Sequence, residues 1–501
     1  MTKTYFRRIA IIVMGLLLLS SAFGPLYAAE TRMTDQAISD AIENEIIFDP
    51  RVSLNDVTVR THDGIVTLTG TTDNLLAKER AARLAETVKG VRSVVNEMDV
   101  KPYWGKMDRE IENDAENALL YNATTDSYEV DVEVEGGVAT LAGSVDSYPE
   151  KNLTEKVVKG VRGVAGVVNL IEVDYDRKRS ETEILNDATS ALKWDALVDS
   201  GTINVDVEGQ TVELSGIVGS AAEKRQAIAD AFVAGVTGVE AADLSVRNWA
   251  KDPRQREKAF VPKSDDAVEE AISDAMLYDP RTSPFTISID VNDGIATLRG
   301  TVDNLIARRA AAQIANNTVG VQRVKNRLKV RPSTPTDEQI KENIGAALIR
   351  DPVVERFEID VDVVNGVAFL TGTVDSFYEK GHADNVAASA YGVKEVRNAL
   401  TVEKEAPLYY DPYVYDFDPY DYDWYTYEPI MTYKSDAEIK DDVDDQMFWS
   451  PFVDRDQVTI DIENGTAVLT GTVDSWFEKS KATENAYEGG AVWVRNLLNV
   501  E

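Results

Sequence analysis

The chain of 501 residues has no cysteine and only two histidines, His62 and His382. Without cysteine there are no disulfides, no thiol nucleophile and no thiolate metal site, and the route to a lipid-anchored cysteine is closed. Neither histidine suits a general base. His62 stands beside a hairpin turn, and His382 lies in a repeat whose siblings lack it. No clustered His/Asp/Glu set of transition-metal spacing and no phosphate-cradling glycine loop occurs. Carboxylate pairs are too plentiful to mark one site. We therefore expect no enzyme, no cofactor and no metal.

Positive charge is scarce: 52 Lys and Arg stand against 87 Asp and Glu, a formal charge of -35. A field of that sign repels nucleic acid phosphates and, on average, anionic lipid headgroups. Long apolar runs are missing too, with one exception. Lys3, Arg7 and Arg8 precede an apolar stretch from Ile9 to about Phe23, then Gly24-Pro25 and the small residues Ala28-Ala29. That order is a secretory signal, cleaved near Ala28, and it predicts a periplasmic protein. The rival, an uncleaved anchor, has a run short of the roughly 20 residues that span a bilayer. Cleavage removes three positive and no negative charges, so -35 becomes -38. An exported chain without disulfides must be held by buried apolar surface.

What is present is repetition. Gly64-Ile-Val-Thr-Leu-Thr-Gly70 returns as Gly137 to Gly143, Gly294 to Gly300, Gly366 to Gly372 and Gly465 to Gly471, with a weaker copy from Gly209 to Gly216. Each copy reads alike. An amphipathic helix opens on a capping box, as at Ser180, Thr336 and Ser435, with an apolar face such as Ile439, Val443 and Met447. Asp-Pro often ends it (Asp49, Asp279, Asp351). Two alternating strands follow, one carrying Phe357, Ile359, Val361 and Val363. They join at Asp63-Gly64, Asp293-Gly294, Asn365-Gly366 or Asn464-Gly465, dipeptides suited to tight turns. A second helix runs to a glycine cap (Gly90, Gly320, Gly392), and a last strand closes the unit. A helix in the crossover predicts that the second and third strands are parallel.

The fold class is thus α+β: tandem repeats of an α-β-β-α-β module, each a three-stranded mixed sheet covered by two helices. Units are read at 34–101, 107–174, 180–247, 264–331, 336–403 and 435–501, with linkers at 248–263 (basic) and 404–434 (Tyr/Asp-rich) after a signal at 1–28. A longer period overlies the shorter one. Gly64, Gly70, Asp73 and Pro102 match Gly294, Gly300, Asp303 and Pro332 at one offset, so three units have been duplicated.

The phrases "VTLTGTTDN", "ATLAGSVDS", "AFLTGTVDS" and "AVLTGTVDS", with "GVQRVKN" and "GVKEVRN" after the second helix, resemble the BON domain. The resemblance covers nearly all of the chain outside linkers. It implies an envelope location, two helices on a three-stranded sheet, and roles in osmotic or envelope stress, periplasmic chaperoning or attachment to phospholipid. The third unit departs, with Gly219 for the Asp and Ala241 where Asn96, Asn169, Asn326, Asn398 and Asn496 occur. It is the unit expected to have lost or changed a shared role.

Ser147 with Glu150, Ser220 with Glu223, Ser376 with Glu379 and Ser475 with Glu478 look catalytic, but their spacing is that of helix caps. The recurring Asn is read as a turn or backbone hydrogen bond. A different feature is the run Tyr409, Tyr410, Tyr413, Tyr415, Tyr420, Tyr422, Trp424, Tyr425 and Tyr427, interleaved with Asp. Its bland reading is an extended linker; its sharper one is an adhesive strip for a basic partner. Calcium-loop spacing is missing from its acids. Arg247, Lys251, Arg254, Arg256, Lys258 and Lys263 are the matching basic candidates for an anionic surface. The expected partners are envelope proteins or unfolded clients, met by a scaffold or holding chaperone whose repeated surfaces give avidity. Docking on phospholipid is the alternative, favoured by the resemblance and opposed by the charge.

Overall fold

The structure is a computed structural model. It describes residues 33–49, 52, 56–102, 106–125, 130–175, 177–247, 263–282, 285–332, 335–354, 359–375, 377–402, 434–474, 476–491 and 493–500. The signal segment, the tyrosine-rich run, Phe357 and the middle of the basic linker lie outside these residues. In chain order the helices are α1 (Asp35–Phe48), α2 (Leu75–Glu86), α3 (Asp108–Tyr121), α4 (Tyr148–Lys159), α5 (Glu181–Trp194), α6 (Ala221–Asp230), α7 (Asp265–Tyr278), α8 (Leu305–Asn317), α9 (Asp337–Arg350), α10 (Phe377–Ser389), α11 (Asp436–Trp449) and α12 (Trp476–Glu488). Each unit thus has two helices. Its sheet has an antiparallel hairpin whose second strand also pairs, in parallel, with the last strand. In units four and five the last strand runs unbroken, Arg323–Val330 and Glu395–Val402. Elsewhere it is split in two.

Local chemistry explains why each copy of the phrase folds the same way. Asp63, Asp293, Asn365 and Asn464 have φ near +50° and each precedes a glycine of positive φ, the geometry of the tight hairpin turn. The first residue of helix one then fastens that turn. Asp337 Oδ2 and Oδ1 accept the N–H groups of Asn365 and Gly366 at 2.7 and 2.8 Å. Asp35, Asp108, Asp265 and Asp436 do likewise, and Glu181 holds Gly209 alone. Bonds to Gly64 and Asp63 hold the Asp35 carboxyl below its ordinary range. This tie was not read from the sequence, although its separation of 28 and 29 residues is constant. The glycine ending the phrase has its own cause: a Cβ on Gly70 (φ +126°) would stand 1.8 Å from the Asp56 carbonyl oxygen.

Each unit encloses its own core, such as Ile111, Leu119, Leu141 and Ile171 in the second. Ile439, Val443 and Met447 are buried as their spacing requires. The second helices stop short of the glycines expected to cap them. α8 ends at Asn317, and Gly320 (φ +94°) follows a further turn.

The units are not beads. Leu75 of unit one joins the core of unit two, Leu305 and Ile306 of unit four join that of unit five, and Ala221 of unit three joins that of unit one. One backbone bond recurs between units. The carbonyl of the last residue of helix one accepts the N–H of the residue preceding the glycine after another unit's second helix. Tyr391 donates to Tyr121, Arg162 to Arg350, Val319 to Trp194 and Lys89 to Trp449, at 2.6 to 3.1 Å. Units therefore pair two with five, three with four, and six with one. The duplication explains this pattern: an internal two-fold maps units one, two and three onto four, five and six, placing pair two–five on itself and exchanging the other two pairs.

Candidate functional site

The serines and glutamates of the repeated phrase cap helices. Ser147 and Ser220 accept the N–H of Glu150 and Glu223 at 3.2 and 3.1 Å. Each glutamate reaches one residue further back than a standard capping box, Glu150 to Asp146 N–H and Glu223 to Gly219 N–H. Glu379 and Glu478 hold Asp375 and Asp474 in the same way; Ser376 and Ser475 lie outside the described residues. Glu223 and Glu478 also accept the N–H of Asp199 and Asp454. The recurring Asn ties last strand to second helix. Asn326 Nδ2 donates to the Arg308 carbonyl at 2.7 Å, and its Oδ1 accepts Leu328 N–H at 3.1 Å. Asn96, Asn169, Asn398 and Asn496 repeat both bonds.

A second set of polar residues was missed. Seven residues past the phrase's Asp, a side chain on helix two meets the cap of helix one. Arg80 binds Asp49 at 3.0 Å, with side chains 3% and 6% exposed. His382 Nε2 lies 2.7 Å from Asp351 Oδ2, also buried. In unit three the residue is Gln226, whose Nε2 donates to Asp195 Oδ2 (3.1 Å) and Asp230 Oδ1 (2.7 Å). His382 is thus the third unit-specific solution to one recurring contact. Aligning the six copies column by column reveals the position; periodicity alone shows only a helix.

A cavity lies where units one to four meet. The recurring bond is reciprocal only in pair two–five: among the described residues Ala234 N–H does not meet the Tyr278 carbonyl, and in pair six–one Gly489 N–H bonds the Asn485 carbonyl instead of that of Phe48, so the two exchanged pairs match. α6 has 10 residues where α4 has 12 and α8 has 13. The chain after it turns toward unit two, where Phe232 stacks on Tyr148 at 3.5 Å and 2°. A cavity of about 1040 Å³ opens among α2, α4, α5, α6, α7 and α8, with Leu75, Leu153, Trp194, Phe232 and Ile314 in its walls. Asp195 and Asp230 stand in it half-buried. Burial raises the Asp195 carboxyl to about 7, and burial together with the Asp195 charge raises Asp230 well above the ordinary range.

Arg247 and Lys263 are described; the Lys263 ammonium lies 5.3 Å over the Trp194 ring. Lys251, Arg254, Arg256, Lys258 and the aromatic strip lie outside the described residues. One cluster of metal-ligating types occurs among the described residues, Asp35, His62 and Asp63. Asp35 already accepts two turn amides there. No described helix is long and apolar enough to cross a membrane.

The sequence pattern of the BON domain matches residues 34–102, 107–175, 180–248, 264–332, 336–404 and 435–501. The chain is 30% identical over 145 residues to Osmotically-inducible protein Y of Escherichia coli (strain K12), a match covering 27% of this chain and 71% of that one. It is 28% identical over 130 residues, 25% of this chain and 86% of the other, to the Uncharacterized protein in gshII 5'region of Anaplasma centrale. A structure of CdsD, a structural protein of the type III secretion system of Chlamydia trachomatis, aligns over 44% of this chain and 98% of its own. Its TM-score is 0.12 and its identity 14%, values from which nothing further follows.

Proposed function

The chain belongs to the BON domain family, and from that premise we propose an exported, non-enzymatic envelope protein that binds other proteins, as scaffold or holding chaperone, under osmotic or envelope stress. The relative named for osmotic induction supports the stress setting, and the charged, apolar and small-residue order of the first 29 residues supports export.

The observation that carries protein binding is the orientation of the sheets. The larger contacts between units run helix to helix, α2 with α6, α3 with α9, α5 with α7 and α8 with α10. The six sheets stay separate among the described residues, each with one face on its own helices and the other open. In the first two units that open face carries aliphatic groups: Val95 and Val168 are each 43% exposed, beside Ile65 and Val138. Units four, five and six have Lys325, Arg397 and Arg495 at the same place. Open sheet faces and free edge strands are surfaces on which extended, partly apolar chains dock. Packed units present them at fixed separations, which favours simultaneous engagement.

The test is suppression of aggregation of a chemically unfolded client by the mature chain, with Val95→Lys and Val168→Lys introduced together. Stoichiometric suppression, lost in the double variant at unchanged melting temperature, is expected. Suppression unaffected by the variant, or absent while the chain sediments with anionic vesicles, refutes the reading and in the second case puts phospholipid in its place.

A further inference from the structure

We propose that the open sheet face of unit four is the dock for the chain's own tyrosine- and aspartate-rich segment, residues 409–427. This goes beyond the client-binding reading and does not rest on it.

The dock starts from a reversal of charge. The whole chain sets 87 acids against 52 Lys and Arg. The strands of unit four instead carry Arg299, Arg323, Lys325, Arg327 and Lys329 against one acid, Asp290. In the strands of each other unit acids outnumber Lys and Arg. Arg323, Lys325, Arg327 and Lys329 alternate along the last strand and all are exposed, so they share the face that the helices leave open. Pairing with the middle strand sets Arg299 directly opposite Arg327, and like charges so placed repel. Arg299 has Asp290 at 3.1 Å. The four cations of the last strand have no ion pair among the described residues, and no described strand pairs with its outer edge. Charge of either sign guards an edge strand from aggregation. Five cations against one acid, in the one unit where the sign is reversed, point instead to an acidic occupant.

Charge and spacing select that occupant. From Tyr409 to Tyr427 there are five Asp and no Lys or Arg. Asp416 and Asp418, then Asp421 and Asp423, recur at every second residue. In an extended chain that interval is about 6.6–6.8 Å, the same as between the cations along the strand. Pro412 and Pro419 oppose a helix there. The rings between the acids suit the guanidinium groups of Arg323 and Arg327, as Phe369 already does for Arg397 in unit five, at 5.5 Å. The basic linker is a poorer match, because Asp252 and Glu257 interrupt its cations.

Reach permits the contact. Val330, which ends the basic strand, and Val402, which ends the last strand of unit five, both pack against the core of unit five. They therefore lie within the width of one such unit, roughly 25–30 Å. The chain from Val402 to Tyr413 extends to about 36–40 Å.

A chain without cysteine allows two spin labels to be placed cleanly on the full mature protein. Asn292→Cys sits exposed on the first strand of unit four, and Thr426→Cys lies in the segment. Pulsed electron double resonance between them should give one short, narrow distance, scattered by 1 M salt but not by sucrose. Lys325→Glu with Arg327→Glu should scatter it, Asp416→Lys with Asp418→Lys should do the same, and the fourfold variant should restore it. If a reversal lowers the melting temperature, the salt titration of the unreversed chain decides. A scattered distance at low salt, a narrow one indifferent to salt and to both reversals, or no restoration in the fourfold variant overturns the proposal. So does a short distance seen only between singly labelled chains, which assigns the segment to a second copy. A scattered distance with sedimentation on phosphatidylglycerol vesicles, lost on Lys325→Glu with Arg327→Glu, overturns it in favour of an anionic lipid surface.

Discussion

Replacing Asn326 by Ala should unfasten the last strand of unit four from its second helix. Two bonds vanish, Nδ2 to the Arg308 carbonyl at 2.7 Å and Leu328 N–H to Oδ1 at 3.1 Å. Each is worth about 1–1.5 kcal/mol net, because the orphaned partner in a half-buried setting regains water only in part. The sum is about 2–3 kcal/mol, or roughly 30- to 140-fold in a local opening equilibrium. Global unfolding is the wrong readout, since packed units need not melt in one step. Native-state hydrogen exchange is the right one, followed in Arg323–Val330. Unit three supplies an internal control, for Ala241 stands at the matching place and neither bond exists. Asn326→Asp should fare no better, since a carboxylate cannot donate and would face the Arg308 carbonyl. A loss of protection below threefold, or full rescue by Asp, refutes the account.

Three further outcomes follow from the same structure. Arg80→Met takes the buried guanidinium away from the Asp49 carboxylate and should destabilise unit one by about 3–5 kcal/mol, most of it recovered by adding Asp49→Leu; denaturant unfolding followed by unit-specific exchange measures both. Burial raises the Glu45 carboxyl to about 7, and burial with the Glu45 charge raises Glu488 well above its ordinary range. The folded state therefore binds more protons than the unfolded one between roughly pH 4.5 and 7. Stability should rise as pH falls through that window and be lost as pH rises through 7, by about 1–2 kcal/mol once partial exposure is allowed for. Glu45→Gln should flatten the dependence of melting temperature on pH. Gly70→Ala forces a Cβ to 1.8 Å from the Asp56 carbonyl oxygen and should cost at least about 3 kcal/mol, read as loss of exchange protection in Asp56–His62.

Much of the unit was legible because its causes are local. Hairpin turns need φ > 0, so Asp-Gly and Asn-Gly announce them. Helix starts need side-chain acceptors, so Ser-x-x-Glu announces those, and alternation gives away the buried face. The Asn of the last strand was read as a backbone bond for the same reason, though its partner on the second helix was not named. Less legible was anything whose partner sits far along the chain. The tie from Asp337 to Asn365 is visible only as a constant spacing. The column holding Arg80, Gln226 and His382 looks like unrelated residues until helix one lies against helix two.

By itself, then, the sequence determined six copies of one α-β-β-α-β unit, their duplication as a triplet and a net acidic charge, because propensity, turn chemistry and net charge act over a few residues or over the whole chain. Only the tertiary structure decided how the units meet. Pairing of one with six, two with five and three with four depends on helix ends 125 to 360 residues apart finding one another, and no periodicity encodes that choice. The cavity is of the same kind. Three residues fewer in α6 than in α8 is a small local fact, and it becomes an opening between units only because α2, α4, α5, α7 and α8 pack around the shortened helix.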